Sequence, residues 1–187
     1  MNTTLLISEK TLKSMGVIND NVGSEYILPA ITLAQEVNLQ QLIGTKLLKK
    51  LCLLVKNGSI VTVTDYKTLL DEYVTPYLLW STTSEIQIPL SLKTTNSGSI
   101  QTNDSNRTAV QRKDVNYMAD YYANKAKYFG KLLTDFLNTN MNKYPEYMRT
   151  DSMADVLASP ESYCDIYLGD DDTFTKKWFK DNGDYYC

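Results

Sequence analysis

The sequence predicts an all-α protein, a small helical bundle with a long amphipathic helix, a polar insertion and an extended C-terminal arm. Two stretches at helical spacing predict this class. In residues 113–140, nine apolar residues lie within about 50° of one line on a helical wheel. Phe129 lies within that arc, so we expect it to be fully buried. In residues 46–56, leucines occupy one face and lysines the other. Apolar content of 43% and charged content of 22% are ordinary for a globular domain.

The first predicted helix, residues 25–38, carries amides on its apolar side. On a wheel of about 100° per residue, Asn38 and Gln41 project into the same arc as Val37. An unpaired buried amide costs about 1–3 kcal/mol, so two of them are not expected to face a core without partners. Either the helix ends near Val37, with a second short piece that stops at Gly44, or this face meets something other than the core of its own subunit.

Two further helices follow before the insertion. Thr45 is placed to cap the helix over residues 46–56, whose lysine face either contacts an acidic partner or is simply solvated. The next helix begins at about residue 65 and continues to about residue 86. Pro76 lies inside it and cannot donate a hydrogen bond to the carbonyl of Glu72, so a kink is expected there.

Residues 90–111 differ in composition from the rest of the core. They are rich in Ser, Thr and Asn, which predicts a projecting polar loop or a short β-hairpin around Asn96 and Gly98. Long polar loops inside compact domains are usually functional or disordered. We therefore expect this insertion to contact a partner protein.

The last part of the chain, residues 144–187, is predicted to be an acidic, aromatic-rich arm outside the helical core of residues 1–143. The core holds 15 basic and 12 acidic side chains, whereas the arm holds 4 and 10. The aromatic residues expected to bind a partner are Tyr163, Tyr167, Phe174, Trp178, Phe179, Tyr185 and Tyr186. An arm that packs back on its own bundle is the alternative.

The composition argues against several classes of function. The chain has no histidine, which excludes Ser–His–Asp and Cys–His catalysis and the usual zinc sites. The three cysteines form no disulfide framework, and "GDDD" at 169–172 is predicted to be a solvated acidic turn. We therefore predict no enzymatic activity, no catalytic or metal-binding residue and no cofactor. No apolar run approaches a membrane span and no signal peptide begins the chain, so synthesis in a cytoplasm is expected.

Three stretches together resemble a known family. "LLISEKTLKSMGVINDNV", "YILPAITLAQEVNLQQLIGTKLLKKL" and "DYKTLLDEYVTPYLLW", in this order, are similar to the head–tail connector proteins of tailed bacteriophages, most of all to those of crAss-like phages. The similarity covers residues 5–80, and "YPEY" at 144–147 extends it. The chain beyond Asp151 does not match.

The resemblance implies a virion structural protein at the portal–tail junction, made in the host cytoplasm. Such proteins are small helical bundles that assemble as a homo-oligomeric ring, usually a dodecamer, under the portal protein. Their partners are the portal and other connector or tail proteins, while DNA only passes through the channel. No catalytic residue is implied. In such a ring, Asn38 and Gln41 are expected to meet a neighbouring copy.

Two other classes of function stay open. One is a helical protein-binding adaptor or regulator that acts through its C-terminal tail. The other is a DNA-packaging accessory factor, for which a net charge of −3 is unfavourable.

Overall fold

The computed structural model describes residues 4–16, 18–95, 98–101, 112–147 and 156–158. This part of the chain is built mainly from helices, which confirms the all-α class. Its α-helices are α1 (Glu9–Met15), α2 (Ser24–Leu33), α3 (Gln40–Lys56), α4 (Thr64–Thr68), α5 (Thr75–Ser91) and α6 (Arg112–Thr139). Two short strands, β1 (Leu92–Thr95) and β2 (Gly98–Gln101), pair antiparallel between α5 and α6.

The longest helix, α6, packs along α5, and α2 packs on α5 as well. Leu78 and Ile86 of α5 and Leu133 and Leu137 of α6 are completely buried in the shared core. The predicted long amphipathic helix over 113–140 is confirmed. No helix in the described ranges is both long and apolar enough to cross a membrane.

A π-helical stretch, Ala34–Leu39, joins α2 to α3 and explains the amides on the first helix. Here the backbone N–H of Gln40 bonds to the carbonyl of Gln35, five residues back, which adds a residue to the turn. A wheel of about 100° per residue no longer describes the faces beyond this point. Leu39 is therefore completely buried, while Val37 is 44% exposed. The expectation that the helix stops near Val37 was wrong.

A second π-helical stretch, Leu69–Val74, ends just before Pro76. The N–H of Thr75 bonds to the carbonyl of Leu70, again five residues back. Pro76 has no N–H to donate to the carbonyl of Glu72, and its ring crowds that carbonyl, which favours an irregular turn at this point. The predicted irregularity takes the form of this π-helical stretch, and α5 then continues to Ser91.

A sharp change of direction interrupts α3 at Gly44, where φ is 78° and ψ is 161°. The hydroxyl of Thr45, predicted to cap the following helix, instead accepts hydrogen bonds from the N–H of Val156 (3.1 Å) and from Nε2 of Gln40 (2.8 Å). The N–H of Thr45 donates to the carbonyl of Val156 over 3.0 Å. Ala158 is buried beside this break. Residues 156–158, here named the anchor, therefore pack on the bundle of their own subunit.

The core extends past the predicted boundary at residue 143. Tyr144 and Tyr147 are both buried and belong to the hydrophobic core. Two short 3₁₀ turns, Met141–Lys143 and Pro145–Tyr147, bring them back against the bundle. The sequence did not reveal this because "KYPEY" is too short to show a helical period.

Phe129 is only partly buried, so the prediction of full burial was wrong. Leu133 and Leu137, further along α6, take the fully buried positions. Phe129 lies instead at the border between the core and an open aromatic surface.

Candidate functional site

The outer side of α6 carries large exposed side chains that the amphipathic pattern did not lead us to expect. Tyr117 is 69% exposed and Tyr128 is 62% exposed. Tyr117, Tyr121, Tyr128 and Leu132 follow one another at intervals of four, seven and four residues. They therefore share one side of the helix. This surface, here named the aromatic face, consists of Tyr117, Tyr121, Tyr128 and Leu132.

A groove of about 510 Å³ borders the aromatic face. It is lined by Trp80, Tyr121, Asn124, Lys125, Tyr128 and Phe129. The ammonium group of Lys125 lies 4.8 Å from the ring centre of Tyr121 and 5.6 Å from that of Trp80. Both distances are within cation–π range. The groove thus combines an apolar floor with one cation held over two aromatic rings.

Asn38 finds its hydrogen-bond partners inside its own subunit. Its Nδ2 donates to Oγ of Ser81 (3.0 Å) and to Oε1 of Glu85 (2.9 Å). Gln41 is exposed, and both amides line one pocket of about 180 Å³ between the helices. The position of Asn38 therefore requires no neighbouring copy, whereas Gln41 is open to one.

Of the other predicted contact residues, the structure describes Gly98 alone. Gly98 begins β2 and pairs with Thr95 of β1, while Asn96 lies outside the described residues. The seven aromatic residues predicted for the arm, from Tyr163 to Tyr186, also lie outside the described residues, as does "GDDD".

Gln35 is a buried polar residue that sequence reasoning missed. Its side chain is completely buried in the first π-helical stretch. Oε1 accepts a hydrogen bond from the N–H of Leu6 (2.8 Å), and Nε2 donates to the carbonyl of Thr4 (3.1 Å). Gln35 thus holds the N-terminal segment on the bundle. No local signal distinguishes it from the neighbouring glutamines.

Two tyrosine hydroxyls near the end of the core are poor acids. Tyr66 donates to Oε2 of Glu146 over 2.6 Å, and burial and this carboxylate raise the pKa of Tyr66 well above its ordinary value. Tyr144 donates to the carbonyl of Asp65 over 2.9 Å. Burial, followed by the negative charge of Asp65, raises the pKa of Tyr144 to about 12. Both hydroxyls therefore act as structural donors near neutral pH.

Within the described residues, no group of three or more Cys, Asp or Glu side chains is placed to hold a metal ion. The absence of enzymatic activity and of a cofactor stays a prediction. The described surface carries aromatic and cationic side chains that can contact a binding partner.

A family model covers most of this architecture, from the end of the first π-helical stretch to the anchor, residues 39–156. The chain belongs to a family of unknown function, DUF6712. No curated protein matches the chain. No solved structure matches it either. The matched range includes the Gly44 break, α6 and the first residue of the anchor, so these features lie within the part that defines the family.

Proposed function

We propose that this chain is a virion structural protein that forms a connector ring between the portal and the tail of a tailed phage and extends the DNA channel. The ring consists of twelve copies, with the portal protein on one side and other connector or tail proteins on the other. Support comes from the resemblance of residues 5–80 and 144–147 to such connectors and from the all-α bundle.

The observation that carries this proposal is the aromatic face of α6. Aromatic side chains are enriched where proteins bind each other, and contiguous exposed apolar patches mark such surfaces. Tyr117, Tyr121 and Tyr128 lie on the longest helix and outside the core of a single copy. A second copy is the proposed occupant, because a ring needs a head-to-tail contact that repeats until it closes.

The other predicted contact residues are proposed to bind different neighbours of the subunit. Gln41 is proposed to meet the neighbouring copy. The insertion around Asn96 and Gly98 is proposed to contact a protein above or below the ring. The end of the arm, with Phe174, Trp178 and Tyr186, is proposed to bind the next component of the stack.

Particle imaging and sedimentation of the full-length protein test the ring. We expect closed rings for the natural sequence and dispersed, folded subunits for a Tyr117→Glu/Tyr128→Glu double variant. Val61→Glu is the matched control, since Val61 is also 69% exposed but lies in the 3₁₀ turn Ser59–Thr62, which contacts α3 and α4. This control should leave the rings intact. Folded subunits that never close into rings at any concentration, with or without portal, would contradict the proposal.

A helical adaptor that acts through its C-terminal tail is the second candidate. The seven aromatic residues in an acidic segment favour it, because such side chains are effective anchors on a partner surface. An adaptor needs no closed ring. Intact binding of one partner protein by the Tyr117→Glu/Tyr128→Glu variant, without rings of the natural sequence, would support the adaptor.

A further inference from the structure

A second groove, of about 400 Å³, runs along the outer face of α3. The lining residues of α3 that follow the Gly44 break lie within about 140° on a helical wheel of about 100° per residue, so they share one face. They are Thr45, Leu48, Lys49, Cys52, Leu53 and Lys56, while Gln40 lines the groove from before the break. Leu53 is 53% exposed in the groove, although leucine gains from burial. The groove therefore offers an apolar strip with lysines along it.

The anchor meets this groove at one end. Thr45 both lines the groove and holds Val156 through two hydrogen bonds, of 3.0 and 3.1 Å. Ala158, the last residue of the anchor, is buried against Gly44. Ala158 therefore lies close to the end of the groove that Thr45 lines.

The segment that follows the anchor has a charge complementary to the groove. Residues 159–172 contain five carboxylates and no basic residue, together with Tyr163 and Tyr167. Lys49 and Lys56 line the groove, and among the described residues Glu36 is the one acidic side chain that also lines it. An acidic segment is attracted to such a surface, and its tyrosines can cover the exposed apolar strip.

The distances allow the segment to follow α3. Cys164 is six residues after Ala158, and six extended residues span up to about 20 Å. Cys52 is seven residues after Thr45 on the helix, which is about 10 Å along its axis. Cys164 is therefore able to reach the part of the groove that Cys52 lines.

We propose that the groove on α3 is the docking site of residues 159–172 of the same chain, held by Lys49 and Lys56 and by burial of Tyr163 and Tyr167. Docking ends near Asp172. Residues 173–187, which carry five of the seven aromatic residues of the arm, stay available for a partner. This inference does not depend on the ring, because it concerns one subunit.

Chemical cross-linking of the natural cysteines tests the inference. In a full-length Cys187→Ser protein under reducing conditions, Cys52 and Cys164 are the only thiols. Isotopically light and heavy proteins are unfolded, mixed in equal amounts and refolded together, so that any assembly contains both, and are then treated with a short bis-maleimide and digested for mass spectrometry. We expect Cys52–Cys164 links that join light to light and heavy to heavy peptides, which shows that both thiols belong to one chain.

Charge reversal tests the recognition. Lys49→Glu/Lys56→Glu should lower the yield of this link several-fold, and added salt should lower it in the natural sequence as well. Lys127→Glu/Lys131→Glu on the exposed side of α6 is the matched control with the same change of charge, and it should leave the yield unchanged. Yields are normalised to labelling of each thiol by a monofunctional maleimide, which corrects for altered reactivity of Cys52.

Three results would overturn the inference. One is the absence of the link although both thiols are labelled. The second is a statistical share of light–heavy links, which places the segment on another copy. The third is a yield that does not respond to Lys49→Glu/Lys56→Glu in a variant that circular dichroism shows to be folded.

Discussion

Gln35 holds the N-terminal segment through both ends of its amide, so its loss should be costly. Gln35→Ala leaves the N–H of Leu6 without its acceptor inside the protein. We expect the free energy of unfolding to fall by about 1–3 kcal/mol in urea titrations. Asn138→Ala, at an exposed position of α6, is the control and should change it by no more than about 0.5 kcal/mol. Equal effects of the two substitutions would contradict the role of Gln35.

The raised pKa of Tyr144 predicts a loss of stability at alkaline pH. The folded protein keeps the phenolic proton up to a pKa of about 12, whereas the unfolded chain loses it near 10. The stabilisation is therefore fully present below pH 10 and is lost as the pH rises from 10 towards 12. Tyr144→Phe should make this alkaline decline shallower in urea titrations at increasing pH. Parallel curves for Tyr144→Phe and the natural sequence would refute the prediction.

The sequence predicted residue types better than it predicted residue partners. The wheel placed the polar Asn38 in an apolar arc and led us to expect a neighbouring copy as its partner, yet its partners are Ser81 and Glu85 of the same chain, more than forty residues away. Gln35 was missed for the same reason, since the groups it binds are backbone atoms of a distant segment. Hydrogen bonds between distant parts of a chain leave no periodic signal.

The break in α3 depends on Gly44, so a substitution of this residue should affect the whole helix. Gly44 has a backbone conformation that other residues adopt only at a cost of about 1–3 kcal/mol. An added Cβ would also lie 3.0 Å from the backbone nitrogen of Ala158. Gly44→Ala should therefore destabilise the protein and release the anchor, seen as faster hydrogen exchange at the amide of Thr45.

Gly58→Ala separates backbone strain from crowding of the anchor. Gly58 also has a positive φ of 67°, but nothing lies within 4 Å of an added Cβ. This control should destabilise the protein without changing exchange at Thr45. Unchanged exchange in Gly44→Ala as well would show that Gly44 does not control the anchor.

Two positions on α6 should differ in their contribution to the core. Leu133 is completely buried, so Leu133→Ala should cost about 2–5 kcal/mol in free energy of unfolding. Phe129 is only partly buried, so Phe129→Ala should cost less than the roughly 3–5 kcal/mol typical of a buried phenylalanine. Urea titrations measure the free energy of unfolding of both variants. A larger loss for Phe129→Ala than for Leu133→Ala would contradict the prediction that Leu133 contributes more to the core.

The regular helical periodicity of its sequence made α6 predictable. Departures from this periodicity made the other helices harder to predict. The π-helical stretch Ala34–Leu39 changes the number of residues per turn, so a wheel based on 3.6 residues assigns Val37 to the wrong face. The aromatic face of α6 was missed because its tyrosines alternate with charged residues on the polar side of the pattern.

At the scale of the whole molecule, the helical core and the acidic C-terminal part meet at the anchor. The sequence predicted a boundary at residue 143, but the buried Tyr147 and the anchor at Val156 lie beyond it. Composition marks where charge changes, whereas burial depends on contacts with distant helices. Any test of the arm must therefore leave the anchor in place.

Truncation on either side of the anchor separates its role from that of the arm. A chain ending at residue 150 lacks Val156, so the N–H of Thr45 loses its acceptor. A chain ending at residue 158 keeps that hydrogen bond and the burial of Ala158. In urea titrations, we expect the shorter chain to be less stable than the longer one by about 1–3 kcal/mol. Equal stability would show that the anchor contributes nothing to folding.

The longer truncated chain also tests the arm. A chain of residues 1–158 keeps the aromatic face of α6 and lacks all seven aromatic residues of the arm. Under the proposed function, it should form rings that particle imaging cannot distinguish from those of the full chain. These rings should no longer bind the next component of the stack in sedimentation assays, because the anchoring side chains are missing. Rings that still bind it would remove the arm from that contact, and a folded 1–158 chain that forms no ring would place the arm in the contact between copies.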